Sequence, residues 1–212
     1  MDTSEHIIRD LAGLRALYPP AQGLAVQKTL DHLDAHARAF IARSPFLTIG
    51  TQGADGRADV SPRGDPCGFV HVIDSKTLAI PDRPGNNRLD TLENIVANPS
   101  VGLLFLVPGF DDTLRVNGRA HLSADPALLA GMAVNGRVPK LAIVVEVAEV
   151  FLHCAKAFRR SGLWDPAARQ DRREMPSLVK MILDQTVGAP EDPAKQAELD
   201  AGLEQDYRQS MY

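Results

Sequence analysis

Residues 79–99, "AIPDRPGNNRLDTLENIVANP", combine side chains that can hold an anion. Arg83 and Arg88 flank two asparagines between a predicted strand and a predicted helix. Arginine grips phosphate through two parallel hydrogen bonds, and a helix N-terminus adds free N–H groups and a positive dipole end. Asp90 and Glu93 have capping-box spacing, which predicts the helix start. The segment therefore fits either a phosphate site or a capped helix with solvated arginines.

Two predicted strands carry further polar side chains. In "SPRGD", Arg63 lies beside Gly64, which permits close approach of a flat polar ligand to the backbone. The alternative is an edge strand with a surface ion pair between Arg63 and Asp65, which would contribute little stability. In "LRVNGRA", the strand period of two places three polar residues on one face, namely Arg115, Asn117 and Arg119. That face fits either a ligand or dimer contact, or plain solvation.

The segment "HCAKAFRRSGLWDP" is basic and holds the single tryptophan of the chain, Trp164. Lys156 could place a cation at the edge of a flat ring ligand and the indole could stack on a ring, or both could belong to a basic surface loop. His153 and Cys154 are adjacent on a predicted strand and point to opposite faces, so no metal site is expected. The chain also lacks a nucleophile elbow, a Walker loop and a strand-linked dinucleotide motif.

Composition restricts the partners of these side chains. The 212 residues carry a net charge of −4, which argues against a nucleic-acid partner. No apolar run approaches the roughly 20 residues that span a bilayer, and the N-terminus lacks the pattern of a secretory signal. With two cysteines and no disulfide framework, a cytoplasmic location is expected.

Hydrophobic periodicity predicts the elements that position these residues. Helices are expected over residues 4–17 and 21–43, ahead of about seven mostly hairpin-linked strands with one inserted helix at 91–97. Residues 101–107, "VGLLFLV", predict a strand buried on both faces. Two more helices are expected over 177–187 and 193–210. The pattern is mainly β with helices (α+β) and favours a barrel over a repeated strand–helix fold.

Four segments together resemble a known family. They are "SPFLTIGT…DGRADVSPRGD", "LAIPDRPGNNRLDTLENIVANPSVGLLFLVPG", "LRVNGRAHL" and "HCAKAFRRSGLWDP". They are similar to FMN-binding split-barrel flavoproteins related to pyridoxamine 5'-phosphate oxidase, in a bacterial-type branch, over roughly residues 44–166. The resemblance implies a single domain, residues 1–212, with a six-stranded antiparallel split β-barrel. Its expected parts are a helical extension at 1–43, the barrel core at 44–154, and a C-terminal loop and helices at 155–212.

The resemblance also implies a site for FMN at the interface of a homodimer. Its expected contacts are Ser61, Pro62, Arg63, Gly64 and Asp65 along a return strand; Ile80, Pro81, Asp82, Asn87, Arg88 and Leu89 before the inserted helix; Arg115 and Asn117 from the dimer mate; and Lys156, Ser161 and Trp164 in the C-terminal segment. Arg83 would lie on the rim. Catalytic residues are not identified, although Lys156 or Arg63 could tune the flavin.

The implied function is flavin-mediated hydride or electron transfer to or from an unknown small molecule, with NAD(P)H as a candidate partner. The alternative is a flavin-, haem- or deazaflavin-binding sensor or storage protein without turnover. Pyridoxamine phosphate oxidation itself is not expected. The oxidases have an Arg-Lys pair where this chain has Asn87-Arg88, with a two-residue insertion, and their C-terminal substrate signature is not visible.

Overall fold

The chain is a mixed α+β protein built on one antiparallel sheet. The computed structural model describes residues 6–211. The strands are β1 Phe46–Gln52, β2 Ala58–Gly64, β3 His71–Val72, β4 Thr77–Pro81, β5 Ser100–Leu106, β6 Thr113–Ser123 and β7 Ala142–His153. The α-helices are α1 Leu11–Leu17, α2 Leu24–Gln27, α3 Ala35–Arg43, α4 Asp90–Ala97, α5 Pro126–Ala130, α6 Lys156–Ser161, α7 Leu178–Asp184 and α8 Pro193–Ser210. Within the described residues, no helix is long and apolar enough to cross a membrane.

The sheet has seven strands in the order β2-β1-β5-β6-β7-β4-β3, so the expectation of six strands is wrong. The short β3 pairs only with β4, through His71 and Val72. β2 occupies the other edge, where Pro62 is tolerated because an edge strand can lack an N–H donor. The hairpin predicted at Asp55-Gly56 joins β1 to β2, and Gly56 has a φ of 83°. No backbone ladder between described residues joins the two edges, so the sheet is open.

The two faces of the sheet differ in burial. Leu47 on β1 lies between Arg63 of β2 and Phe105 of β5, and Phe105 pairs with Leu114 of β6, so these four residues share the inner face. This face carries the main hydrophobic core, against which α3 and α4 pack. Along β5 the burial alternates, with alternate residues only partly buried. The prediction that residues 101–107 are buried on both faces is therefore wrong for the single chain.

A buried ion pair joins the two sides of the open sheet. Asp65 directly follows β2, and Arg83 follows β4, which neighbours the opposite edge strand. The Arg83 Nε donates to Asp65 Oδ2 at 2.6 Å, and the two side chains are 18% and 1% exposed. The Arg83 Nη1 also donates to the Met132 carbonyl at 2.8 Å. The sheet must curl to permit these contacts. We call the opening between the ends of β2 and β4, lined by Arg63, Asp65, Asp82 and Arg83, the seam.

The N-terminal helices differ from their predicted bounds. α1 begins only at Leu11, where Asp10 accepts a hydrogen bond from the Gly13 N–H at 2.7 Å; residues 4 and 5 of the predicted helix lie outside the described residues. The helix predicted over 21–43 is broken into α2 and α3. Leu30 interrupts it by exchanging backbone hydrogen bonds with Val150, at 2.9 and 2.8 Å. Helical periodicity could not reveal this pairing because its partner is far away in the sequence.

Candidate functional site

The inner face of β2 brings a polar group onto the first turn of α4. Asp59, Ser61 and Arg63 occupy alternate positions and therefore point to one side of the strand. The buried Thr91 hydroxyl lies 3.1 Å from Asp59 Oδ2 and 3.0 Å from Ser61 Oγ, and Ser61 Oγ donates to Asp59 Oδ2 at 3.1 Å. This network fixes α4 against β2. It places the helix N-terminus beside the strand that carries Arg63.

Arg63 is a half-buried cation in the seam. Among the described residues, its guanidinium makes one hydrogen bond, from Nη1 to the Pro62 carbonyl at 2.8 Å. Burial lowers the pKa of Arg63, while the nearby carboxylates of Asp82 and Asp59 act in the opposite direction. The guanidinium stays charged, since arginine is not deprotonated in proteins. Most of its N–H groups remain available for an anion or a carbonyl oxygen.

Asp82 faces Arg63 from the end of β4. Burial raises the pKa of the Asp82 carboxyl, and the opposite charges of Arg63 and Lys140 only partly offset this effect. The Asp82 N–H donates to the Leu141 carbonyl at 3.0 Å, which fixes the backbone at this point. A charge pair across the opening of the sheet thus accompanies the Arg83–Asp65 ion pair.

The loop before α4 turns sharply but leaves the helix uncapped. Asn87 has a φ of 58°, and Asn86 Oδ1 accepts a hydrogen bond from the Arg88 N–H at 3.0 Å. The predicted capping box is wrong, because the N-cap is Leu89, which provides no side-chain hydrogen bond. Asp90 is instead the first helical residue, and its carboxylate accepts from Arg88 Nε at 2.9 Å. The N–H groups of the first turn are consequently not satisfied by a cap.

Arg88 is a more exposed cation than Arg63, since its side chain is 75% exposed. The hydrogen bond to Asp90 raises the pKa of Arg88, and the same bond lowers the pKa of Asp90. Asp59 also acts electrostatically on Arg88, so the two guanidiniums of the site share one carboxylate neighbour. Arg88 can reach an anion at the start of α4, but only in competition with Asp90.

Several predicted contacts have other roles in the described structure. Asp65 binds Arg83, so the alternative of a surface pair between Arg63 and Asp65 is wrong, and Arg83 holds the seam together instead of lying on an open rim. Ile80 and Pro81 are buried and pair with β7, so neither residue is open to a ligand in the single chain. Pro62, Gly64 and Leu89 are exposed beside the seam.

The structure separates the β6 residues from the seam. Leu114 shares the inner face with Arg63, so Arg115 and Asn117 point to the opposite face. There the Arg115 guanidinium lies 5.3 Å from the centre of the Phe151 ring. Asn117 Nδ2 donates to Glu149 Oε1 at 2.8 Å. A single chain does not bring these two residues together with Arg63.

Of the predicted C-terminal contacts, Trp164 packs on the connection between β5 and β6. The Trp164 indole donates to the Phe110 carbonyl at 2.7 Å, and its ring stacks on Phe158 with centroids 5.8 Å apart. Ser161 Oγ donates to the Phe158 carbonyl at 3.0 Å, and Lys156 is exposed at the start of α6. Within the described chain, no hydrogen bond, ion pair or ring contact links these three predicted contacts to the seam.

A sequence comparison decides the family. The model of the family described as pyridoxamine 5'-phosphate oxidase matches residues 33–154, more than half of the chain. The chain belongs to the pyridoxamine 5'-phosphate oxidase family. The matched segment contains β1 to β7 and α4, and therefore the whole seam. The earlier resemblance is thus confirmed at the level of the family.

Solved structures resemble the chain only weakly, and no curated protein matches it. HupZ from Group A Streptococcus is 18% identical, with a TM-score of 0.47, over 56% of this chain and 92% of its own. An FAD-binding protein from Mesorhizobium loti is 17% identical, with a TM-score of 0.41, over 58% and 94%. HutZ, the heme storage protein from Vibrio cholerae, is 17% identical, with a TM-score of 0.41, over 57% and 93%.

For this pyridoxamine 5'-phosphate oxidase family member, three residues that adjoin the seam were not predicted from the sequence. Asp59 could have been found, because it lies at strand spacing from Ser61 and Arg63. Thr91 and Lys140 could not, because their positions depend on how α4 docks and how the sheet curls. The site thus contains more carboxylate than the sequence suggested.

Proposed function

We propose that this chain binds FMN in the seam and acts as an FMN-dependent oxidoreductase on a small molecule other than pyridoxamine phosphate. The single observation that carries the proposal is Arg63, a half-buried guanidinium with unused donors beside an uncapped helix N-terminus, inside the segment that matches the family. A desolvated cation of this kind favours an anionic ligand, because the interaction with the anion is screened little by water.

The residues present fit the phosphate end of FMN. Arg63 supplies donors from β2, and the first turn of α4 supplies backbone N–H groups at its positive end. Arg88 adds an exposed cation from the preceding loop, and Asn87 adds an amide at the tight turn. The hydroxyl and carboxylate groups of Ser61, Asp59 and Asp82 suit a polyol such as the ribityl chain.

When bound, FMN supplies a ring system that accepts and donates electrons, so the protein need not provide a nucleophile. In the proposed arrangement, Arg63 and α4 hold and orient the ligand. We also infer that the curled, open sheet corresponds to the split barrel of the family. Arg115 and Asn117 face away from the seam of their own chain, so they would reach a flavin only from a second copy. The partly buried Leu104 and Leu106 on that same outer face support such a homodimer.

The visible absorption spectrum of the purified protein tests the proposal directly. We expect the two visible bands of oxidised flavin, either as purified or after incubation with FMN and removal of unbound ligand. We also expect saturable bleaching by NADPH or NADH followed by reoxidation in air. A protein that stays colourless with FMN contradicts the proposal. An intense Soret band would identify a haem protein, and bound flavin without turnover would support a sensor or storage role.

A variant locates the site. We expect Arg63→Ala to weaken FMN binding by about 1.5–3 kcal/mol, the range for hydrogen bonds to charged groups. Fluorescence titration of FMN measures the dissociation constant. The matched control is Arg57→Ala, because Arg57 lies on the β1–β2 hairpin and its side chain is 89% exposed. We expect Arg88→Ala to weaken binding less than Arg63→Ala does. Equal affinities for the Arg63 variant and the control would place the ligand elsewhere.

A further inference from the structure

Asp82 has less support from hydrogen bonds than the carboxylates that lie around the seam. Asp59 accepts from the Ser61 and Thr91 hydroxyls, and Asp90 accepts from Arg88. The Asp82 side chain, in contrast, receives no hydrogen bond from any other described residue. It is half-buried directly after β4, where the Asp82 N–H donates to the Leu141 carbonyl.

The charges that face Asp82 come from two directions. Arg63 lies across the seam on β2, and Lys140 lies on the segment that leads into β7. Arg63 in turn faces both Asp82 and Asp59. The guanidinium that we assign to the ligand phosphate therefore already has two carboxylate neighbours.

An incoming phosphate makes this charge arrangement unfavourable. A phosphate monoester carries about −1.5 to −2 charges at pH 7. Placed on Arg63, it would lie close to the Asp82 carboxylate, and like charges held near each other favour the protonated form of one of them. Asp59 and Asp90 already accept hydrogen bonds from neighbouring side chains. Asp82 is the group whose burial already favours the neutral acid.

We propose that phosphate binding in the seam is coupled to proton uptake by Asp82; this inference rests on the proposed function. When the phosphate of FMN engages Arg63, an Asp82 carboxylate oxygen takes one proton from solvent and becomes a neutral carboxylic acid. The protonated Asp82 can then donate a hydrogen bond to a ligand oxygen. Asp82 thereby makes the affinity for the ligand rise as the pH falls.

Fluorescence titration of FMN between pH 5.5 and 8.5 tests the coupling in three proteins. These are the natural chain, Asp82→Asn, and the charge-matched control Glu198→Gln on the exposed face of α8. The phosphate of FMN itself titrates near pH 6, but it does so with all three proteins. The ratio of the dissociation constant of the natural chain to that of Asp82→Asn therefore reports the effect of Asp82 alone. We expect Asp82→Asn to bind FMN about tenfold more tightly than the natural chain at pH 8. We expect the advantage of Asp82→Asn over the natural chain to shrink as the pH falls, and the control to follow the natural chain.

Calorimetry at pH 6.5 in buffers with different ionisation enthalpies measures the number of protons that the protein takes up when it binds FMN. We expect the natural chain to take up more protons per FMN than Asp82→Asn. If the variant does not fold, carboxyl-carbon NMR of the natural chain replaces it, and the pKa of Asp82 should be higher with FMN than without it.

The outcomes separate this inference from the proposed function. Tight FMN binding with the same pH dependence in the natural chain and Asp82→Asn, or an Asp82 pKa that FMN leaves unchanged, overturns the coupling and leaves the FMN site standing. Failure of both proteins to bind either FMN or inorganic phosphate overturns both proposals. Binding of FMN by Asp82→Asn alone at pH 8 supports the coupling in its strongest form.

Discussion

The segment that matches the family and the two terminal segments differ in what they bury. Every buried residue among those described lies between Leu33 and Val150. Residues 6–29 are exposed throughout, and residues 151–211 are exposed or only partly buried. The family match covers residues 33–154, which is nearly the same span. The hydrophobic free energy of folding of the single chain is therefore concentrated in the segment that contains the seam.

The terminal helices are held by local interactions instead. Asp10, Ser177 and Asp192 cap α1, α7 and α8 with side-chain hydrogen bonds. Few contacts join these segments to the sheet, among them the Arg159–Asp111 ion pair at 3.0 Å. Short helices are marginal without tertiary packing. The same kinds of interaction should therefore have large effects in the sheet and small ones at the termini.

The largest expected difference concerns two arginine–aspartate pairs. Arg83→Ala removes the guanidinium from a carboxylate that is 1% exposed, and breaking a buried pair typically costs about 3–5 kcal/mol. Arg159→Ala breaks a similar pair whose arginine side chain is 75% exposed, and exposed pairs contribute about 0–1 kcal/mol. Urea denaturation measures both free energies of unfolding. Similar losses for the two variants would show that the seam pair does not hold the sheet in its curled form.

The same contrast explains how far the sequence could predict the fold. The β1–β2 hairpin depends on alternation and on Asp55-Gly56, which are local signals, and its prediction is confirmed. α8 was predicted with its observed bounds for the same reason. The break between α2 and α3 depends on Val150, more than one hundred residues away, so the periodicity of residues 21–43 concealed it.

The seam was predictable in part. Residue type and spacing predicted Arg63 as a ligand contact in the seam, and Asn87 and Arg88 as contacts in the loop before α4. The pairing of Arg83 with Asp65 was not, because it requires the two sides of the sheet to meet through curling. Nor could spacing reveal that Arg115 faces away from Arg63, since this depends on the register of four strands. Side-chain direction across a sheet is a non-local property.

The next expected difference concerns two glycines. A Cβ at Gly118 would lie 2.1 Å from the Glu146 carbonyl oxygen, where β6 and β7 shift register, so the strands would have to separate. We expect Gly118→Ala to lower the free energy of unfolding by about 1–3 kcal/mol, the usual cost of overpacking. Gly202 lies inside α8 with open space around it, and alanine there should stabilise the helix by about 0.5–1 kcal/mol.

Denaturation measures the effect of Gly118→Ala on the sheet, and amide hydrogen exchange measures the effect of Gly202→Ala on α8. Although both substitutions replace glycine with alanine, Gly118→Ala is expected to destabilise the protein and Gly202→Ala to stabilise α8. A stabilising Gly118→Ala would contradict the close approach of β6 and β7.

The smallest expected effect lies where the N-terminal segment meets the sheet. Burial lowers the pKa of His153, and the positive charges of Arg115 and Lys28 lower it further. A histidine whose pKa is lower in the folded state contributes stability above its ordinary value of about 6.5, and this contribution is lost as the pH falls toward the folded-state value. We therefore expect stability to decrease on acidification from neutral pH, and His153→Gln to reduce that decrease.

Lys28 tests whether the N-terminal segment is docked at this point in solution. Its Nζ donates to the Leu152 carbonyl and lies 5.4 Å from the centre of the Phe151 ring. Lys28→Ala should move the pKa of His153 upward, toward but not beyond its ordinary value, because burial and Arg115 remain. NMR titration of the imidazole Cε1–H, assigned with His153→Gln, measures this shift. An unchanged pKa would mean that residues 6–29 do not hold Lys28 against β7, and that the boundary between the well-packed and weakly attached parts of the chain lies at Leu30.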